Sequence, residues 1–401
     1  MILELHAIQS FAPANLNRDD TGRPKECVFG GVRRARVSSQ SWKRAIREQF
    51  RSEVSGLTVA TRTKRAHEAI VDRLTAAPHD LEVEAARHRA AVVLEAEPLG
   101  LKLVSDDETR VVKTGQLVFF RARDLDVLAE VAAEFGEEID AVTSSLTAAP
   151  AETPARGKRK KATLSKPATK RISDALTAPS DAVDVALFGR MVAEMPESNV
   201  DAACQVAHAI GTHRLADEVD YFTAVDDLRP EETEGADMIG DIQFNASCLY
   251  RYAVLDVAQL AVNLGEADLA TPAVGAAVDA FTEAFVTAIP SGKQNSFAAR
   301  NPPTTVLAVR RRRGAWNLAN AFVAPVAPFG ATHGNDGSDG VVIDSSRRLL
   351  EEFGTLNAVY GRAKDEIAPV LLSVLDDERL DVAVPRVTDL EGLIAHARGR
   401  A

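Results

Sequence analysis

The spacing of hydrophobic and polar positions changes several times along the chain, and each change predicts a different element. Residues 1–10 (MILELHAIQS) set Ile2, Leu3, Leu5 and Ile8 among few polar residues and predict an opening strand. Residues 15–25 (NLNRDDTGRPK) are rich in Asn, Asp, Gly and Pro, which is loop chemistry. A short basic strand at 33–39 (RRARVSS) leads into a helix starting near Ser39 or Ser41. In that helix Trp42, Ala45, Ile46 and Phe50 form one apolar stripe, while Lys43, Arg47 and Arg51 repeat on an adjacent cationic face.

Residues 56–138 keep helical spacing, interrupted by a strand or hairpin at 110–119 (RVVKTGQLVF). The stretch 141–177 is dominated by Ala, Thr, Ser, Pro and Lys and predicts a flexible insertion, at least in part. Apolar packing returns at 180–191, and the acidic, leucine-poor 194–241 suits a protruding hairpin. Alternation at 242–259 predicts a strand, helical spacing runs on to Ile289, a Gly/Pro/Asn loop follows, and a Val-rich strand at 304–311 opens a mixed tail. The order describes an α+β core interrupted by two large insertions.

Composition adds bounds. A chain of 401 residues with 46% apolar residues is a folded protein of two or three units, with a sizeable core. Its three cysteines, Cys27, Cys204 and Cys248, are widely spaced and fit a reducing compartment rather than a disulfide framework. With no basic leader and no long uncharged apolar run, a soluble cytoplasmic protein with no membrane partner is expected.

The net charge of −11 hides clustering. Residues 17–51 carry a net +6, residues 156–171 carry +8 and residues 293–313 carry +6, so the remaining 329 residues carry −31. Three basic runs on an acidic body suggest a polyanion-binding face, although any one run can also be a solvated surface.

Candidate chemistry narrows the field. Ser291-Gly292-Lys293-Gln294 has too few glycines for a phosphate loop, and NDGSDG at 335–340 lacks the bidentate Glu of a calcium loop. His208, His213, Asp217 and Asp220 fit no familiar metal spacing, so no metal and no cofactor are expected. Asp19 and Asp20 could serve as acid/base or metal groups at a bound RNA, or simply form a turn. No nucleophile–histidine–acid arrangement emerges, and no enzyme activity is expected.

Nucleic-acid binding is better supplied. Residues 36–44 (RVSSQSWKR) place Ser38, Ser39, Gln40 and Ser41 at a helix N-terminus, where free N–H groups and the dipole suit a phosphate. Lys43, Arg44 and Arg47 supply cations on the same helix. Such contacts position a backbone without reading bases. The same serines can equally cap the helix while the cations are solvated. Tyr221 and Phe222 form an aromatic pair that could stack on bases or anchor the base of a hairpin.

The segment LNRDDTGRPKECVFGGVRRARVSSQSWKRAIRE (16–48) closely resembles the signature of the CasC family, the backbone subunit of the type I-E CRISPR Cascade complex. The resemblance continues in order through VDVALFGRM (183–191), VAHAIGTH (206–213), DYFTAVDDL (220–228), YRYAVLDVAQL (250–260) and GKQNSFAARNP (292–302). It implies an α+β protein with an RRM-like (ferredoxin-like) palm, here 1–57, 183–192 and 240–401. A helical fingers insertion would occupy 58–182, with a flexible basic segment near 141–177, and a β-hairpin thumb 193–239.

By resemblance, Arg18, Lys25, Ser38, Gln40, Lys43 and Arg47 match palm positions that hold guide phosphates, and Met191 matches a residue near bases. Tyr221, Phe222 and Thr223 match the thumb of one copy reaching over its neighbour. Lys158, Arg159, Lys160 and Lys161 are a weaker candidate for target DNA. The implied partners are CRISPR RNA, target DNA, neighbouring copies, other Cascade subunits and, indirectly, a recruited helicase-nuclease. Two alternatives stand beside this. One is a type III-like backbone that cleaves RNA with Asp19 or Asp20, and the other is a generic RNA-binding regulator.

Overall fold

The computed structural model describes residues 1–53, 57–105, 111–142, 163–193, 195–224, 238–327, 340–380 and 384–399. It divides into two units, one holding Met1–Ser55, Cys204–Ala258 and Asp268–Ala401, the other Gly56–Ala203 and Gln259–Ala267.

The first unit is built on a nine-stranded antiparallel sheet. In chain order its strands are β1 (Ile2–Ala14), β2 (Glu26–Phe29), β3 (Val32–Val37), β4 (Cys204–Val206), β5 (Ala209–Gly211), β6 (Glu218–Ala224), β7 (Met238–Asp256), β8 (Thr305–Arg311) and β9 (Ala368–Ser373). The spatial path is β9-β8-β1-β7-β5-β3-β2, with β4 and β6 also paired to β7. Helix α1 (Ser39–Glu53) follows β3 directly, and α2 (Pro272–Thr287) and α3 (Val341–Tyr360) also pack on the unit.

Strand β1 is buried on both faces, which explains why its sequence reads as a nearly continuous apolar run. One face joins Phe11, Val37, Trp42 and Leu249 under α1. The other joins Ile8, Tyr250, Leu307 and Phe322 with Leu349 and Phe353 of α3. Glu4 on β1 pairs with the buried Arg311 and accepts the Trp316 N–H at 2.7 Å. Burial pushes the Glu4 carboxyl up to about 7 and the His6 ring down to about 3. Arg251 of β7 stacks 3.7 Å above the Trp42 ring and bonds Gln9 Oε1 at 2.6 Å, which locks α1 to the sheet.

The second unit is mainly helical, with helices Ala66–Thr75, Val83–Glu95, Ala122–Glu134 and Lys166–Thr177 around Ile70, Leu94, Leu128 and Ile172. Asp124 lies between two buried guanidiniums, 2.6 Å from Arg121 and 3.2 Å from Arg190. Arg121 also donates to the carbonyls of Ala175 and Ala178, and Arg190 to that of Leu176. Together they cap the C-terminal end of helix Lys166–Thr177, whose last carbonyls otherwise lack partners.

Several expected boundaries shift. Residues 163–177, expected within a flexible insertion, include a helix that buries Ala168, Ile172 and Leu176. Lys158, Arg159, Lys160 and Lys161 lie outside the described residues. Residues 183–192, expected with the palm, belong to the second unit, where Asp184 accepts the Ala60 N–H at 2.8 Å. Cys204–Val206 and Ala209–Gly211, expected in a protruding hairpin, are strands of the central sheet. Among the described residues no helix is long and apolar enough to cross a membrane.

Candidate nucleic-acid interface

The loop preceding β2 is folded by its own side chains. Asp19 Oδ1 accepts from Thr21 N (2.9 Å), Thr21 Oγ1 (2.8 Å) and Arg23 N (3.0 Å), and the hydroxyl bond above all holds its carboxyl below the usual range. The buried Asn15 donates to the carbonyls of Gly22 and Gln243, tying the loop to β7. Asn17 Oδ1 accepts the Ser38 N–H at 2.9 Å and its carbonyl accepts Lys25 N–H, tying the same loop to the start of α1. Loop and helix therefore present their side chains as one fixed surface.

At that start Ser38 is buried, and its hydroxyl caps the Ser41 N–H at 3.3 Å. The Ser39 N–H is taken by His208 Nδ1 at 2.9 Å. Ser38 is thus a cap, one of the two roles its place in the sequence allows, and Ser39 spends its N–H on His208.

Helical geometry divides the remaining candidates. Ser41, Arg44 and Glu48 fall on one face and line an open cleft of about 540 Å³ with Arg18, Asp20 and Gly292. Arg44 is exposed and pairs with Glu48 at 2.7 Å. Gly292 is obligatory there, because a Cβ at that position would collide with the Leu16 carbonyl oxygen. Gln40, Lys43 and Arg47 fall on a different face, and the Lys43 charge is felt at the buried Cys204 thiol of β4. Arg36 and Lys25 stand on this side too, near enough to His208 to lower its proton affinity, after partial burial.

The thumb candidates separate. Phe222 pairs with Gly240 across the hairpin, and its ring would lie 2.5 Å from a Cβ there, so it packs on the glycine. Tyr221 faces the opposite way and is 75% exposed. Thr223 lies in β6, beside them. Met191, in the second unit, is 81% exposed.

Much of the basic charge is engaged in holding the structure. Arg34 is buried and donates to the carbonyls of Gly211, Thr212 and Phe322. In the third run Arg311 pairs with Glu4, Arg312 with Glu366 at 3.1 Å and Arg313 with Asp365 at 3.6 Å. Arg171 of the second run pairs with Glu130 and Glu134. Part of the charge that suggested a polyanion-binding face is thus matched within the protein. The metal candidates are also otherwise engaged: Asp217 pairs with Arg33 at 2.9 Å, and His213 Nε2 accepts the Cys248 N–H. His208 enters the sequence analysis only as a metal candidate, because the Ser39 N–H that fixes it lies 169 residues away.

Fold and surface define an α+β protein with a large antiparallel sheet that displays a cationic loop and helix start at one site. The family model described as CT1975-like protein matches residues 3–390, and the chain belongs to that family. It is 31% identical to a chain of a "CRISPR RNA-guided surveillance complex, pre-nicking", covering 99% of this chain and 100% of that one with a TM-score of 0.81. A chain of a second "CRISPR RNA-guided surveillance complex" is 26% identical, with 99% and 100% covered and a TM-score of 0.70. No curated protein matches.

Proposed function

We propose that this chain is the repeated backbone subunit of a Cascade-type surveillance complex of type I-E. In this reading the sheet unit is an RRM-like palm, the helical unit forms fingers and the β6–β7 hairpin is the thumb. Copies polymerise along CRISPR RNA beside other subunits and present its bases for pairing with target DNA. A helicase-nuclease recruited to the complex, not this chain, does the cutting. The observation that carries the reading is the gathering of Arg18, Lys25, Arg36, Lys43, Arg44 and Arg47 around the first turns of α1, in a chain of this family.

These cations fix the guide's backbone while base pairing reads the sequence, the division of labour of an RNA-guided effector. Replacing both Lys43 and Arg47 by Ala is expected to weaken RNA retention across all sequences. It should also flatten the log–log salt dependence by about 0.7 for each phosphate that is no longer neutralised. A titration series over salt concentration measures this, and an unchanged slope would overturn the assignment. Purification without added RNA, followed by sequencing of what co-purifies, distinguishes repeat-derived guides from the heterogeneous RNA of a general regulator.

The rival reading makes Asp19 or Asp20 a cleaving residue. Both line the cleft, and Asp19 is in addition committed to its own turn. Regular cuts in complementary RNA with Mg²⁺, abolished in Asp20→Ala, would favour that rival.

A further inference from the structure

His208 sits on the turn between β4 and β5, and its place there is set by one bond: Nδ1 accepts the Ser39 N–H of α1 at 2.9 Å. A neutral imidazole nitrogen that accepts carries no hydrogen, so the ring proton resides on Nε2. The ring is exposed, and among the described residues Nε2 has no partner. Partial burial, and after it the charges of Arg36 of β3 and Lys25 of the adjoining loop, disfavour a second proton on the ring. That second proton would have to enter at Nδ1, where it would meet the Ser39 N–H donor head-on. The imidazole is therefore biased towards one neutral tautomer, with its Nε2–H donor open to solvent.

Such a group suits an anionic oxygen. A phosphodiester offers two non-bridging oxygens, one for a cation and one for a neutral donor, and the donor adds a bond without adding like charge beside Lys25 and Arg36. We propose that His208 is a further RNA-binding residue, donating from Nε2 to a phosphate oxygen of single-stranded RNA. This rests on the reading of the α1 start as an RNA-phosphate surface.

The test separates the two nitrogens. In His208→Asn the side-chain oxygen can still accept the Ser39 N–H, but the side chain ends short of the Nε2 position. Binding of a labelled oligouridylate should weaken about tenfold, about 1.4 kcal/mol. The melting temperature should stay unchanged, and a neutral methylphosphonate version of the same oligomer should bind wild type and variant alike. If His208→Asn binds as wild type while the Lys43/Arg47 double variant is weakened, this inference falls and the interface reading stands. If neither variant changes binding, the interface reading itself fails. Loss of association between copies with RNA affinity unchanged would make His208 a protein contact and also overturn the proposal.

Should the variant prove unstable, long-range ¹H–¹⁵N spectra of the histidine-labelled wild-type protein decide. A proton on Nε2 whose resonance moves on adding oligouridylate supports the proposal. A proton on Nδ1, or an Nε2 resonance that RNA leaves in place, overturns it.

Discussion

At the scale of single residues, composition names the right chemistry but not which member of a pair carries it. Tyr221 and Phe222 are adjacent and aromatic, and the sequence leaves both free to stack or to anchor. Strand alternation assigns the roles: Phe222 covers Gly240 across the hairpin while Tyr221 stands in solvent. Tyr221→Ala is therefore expected to leave stability within about 0.5 kcal/mol of wild type. If Tyr221 meets a base, the same change should weaken RNA binding by about 1–3 kcal/mol. Phe222→Ala should instead loosen the hairpin by up to about 1 kcal/mol, because the ring no longer packs across the strands. Thermal melts and oligoribonucleotide titrations of both variants check this, and a Tyr221→Ala variant with full affinity would remove it from the interface. Ser38 makes a related point. A serine at a helix start is an open donor or a cap on sequence alone, and the Ser41 N–H within 3.3 Å makes it a cap.

Elements were legible where periodicity was strong and their partners were near. The opening strand, the α1 stripe of Trp42, Ala45, Ile46 and Phe50, and the strand at 304–311 all lie where the pattern predicts. The helix Lys166–Thr177 was not legible. It is short, begins Lys-Pro-Ala-Thr and follows a Lys-rich run, so its propensity is weak. Its C-terminal end is held by two arginines, Arg121 and Arg190, from elsewhere in the unit. Tertiary capping overrides local preference here, and a single-sequence reading has no access to it. The strands Cys204–Val206 and Ala209–Gly211 were missed for a similar reason: at three residues each they take their identity from pairing with β7. Asp124 holds the arginine cap in place. Asp124→Ala leaves two buried guanidiniums without their carboxylate and is expected to destabilise the helical unit by about 3–5 kcal/mol. An unchanged urea midpoint for that variant would contradict the role assigned to it.

For the whole molecule, the sequence reads as an acidic body with three basic runs, and folding ranks those runs. The first keeps Arg18, Lys25, Arg36, Lys43, Arg44 and Arg47 around one helix start, with Arg34 withdrawn into the interior. In the third, three of the six basic residues, Arg311, Arg312 and Arg313, each meet an acid from a distant part of the same unit. A run that already has carboxylate partners releases few counterions when RNA arrives, because its charge is neutralised beforehand. The double change Arg312→Ala and Arg313→Ala should therefore leave both RNA affinity and its salt slope close to wild type. Stability should move by no more than about 1 kcal/mol, since both guanidiniums are exposed. The contrast with Lys43→Ala/Arg47→Ala is the informative measurement, made with the same oligoribonucleotide over the same salt series. If the two double variants lost affinity and slope equally, net charge alone would govern binding, and the placement of cations around α1 would carry no special weight. If only the α1 pair responds, the binding face is set by where the fold gathers its cations, a property that no count of charges along the chain can supply.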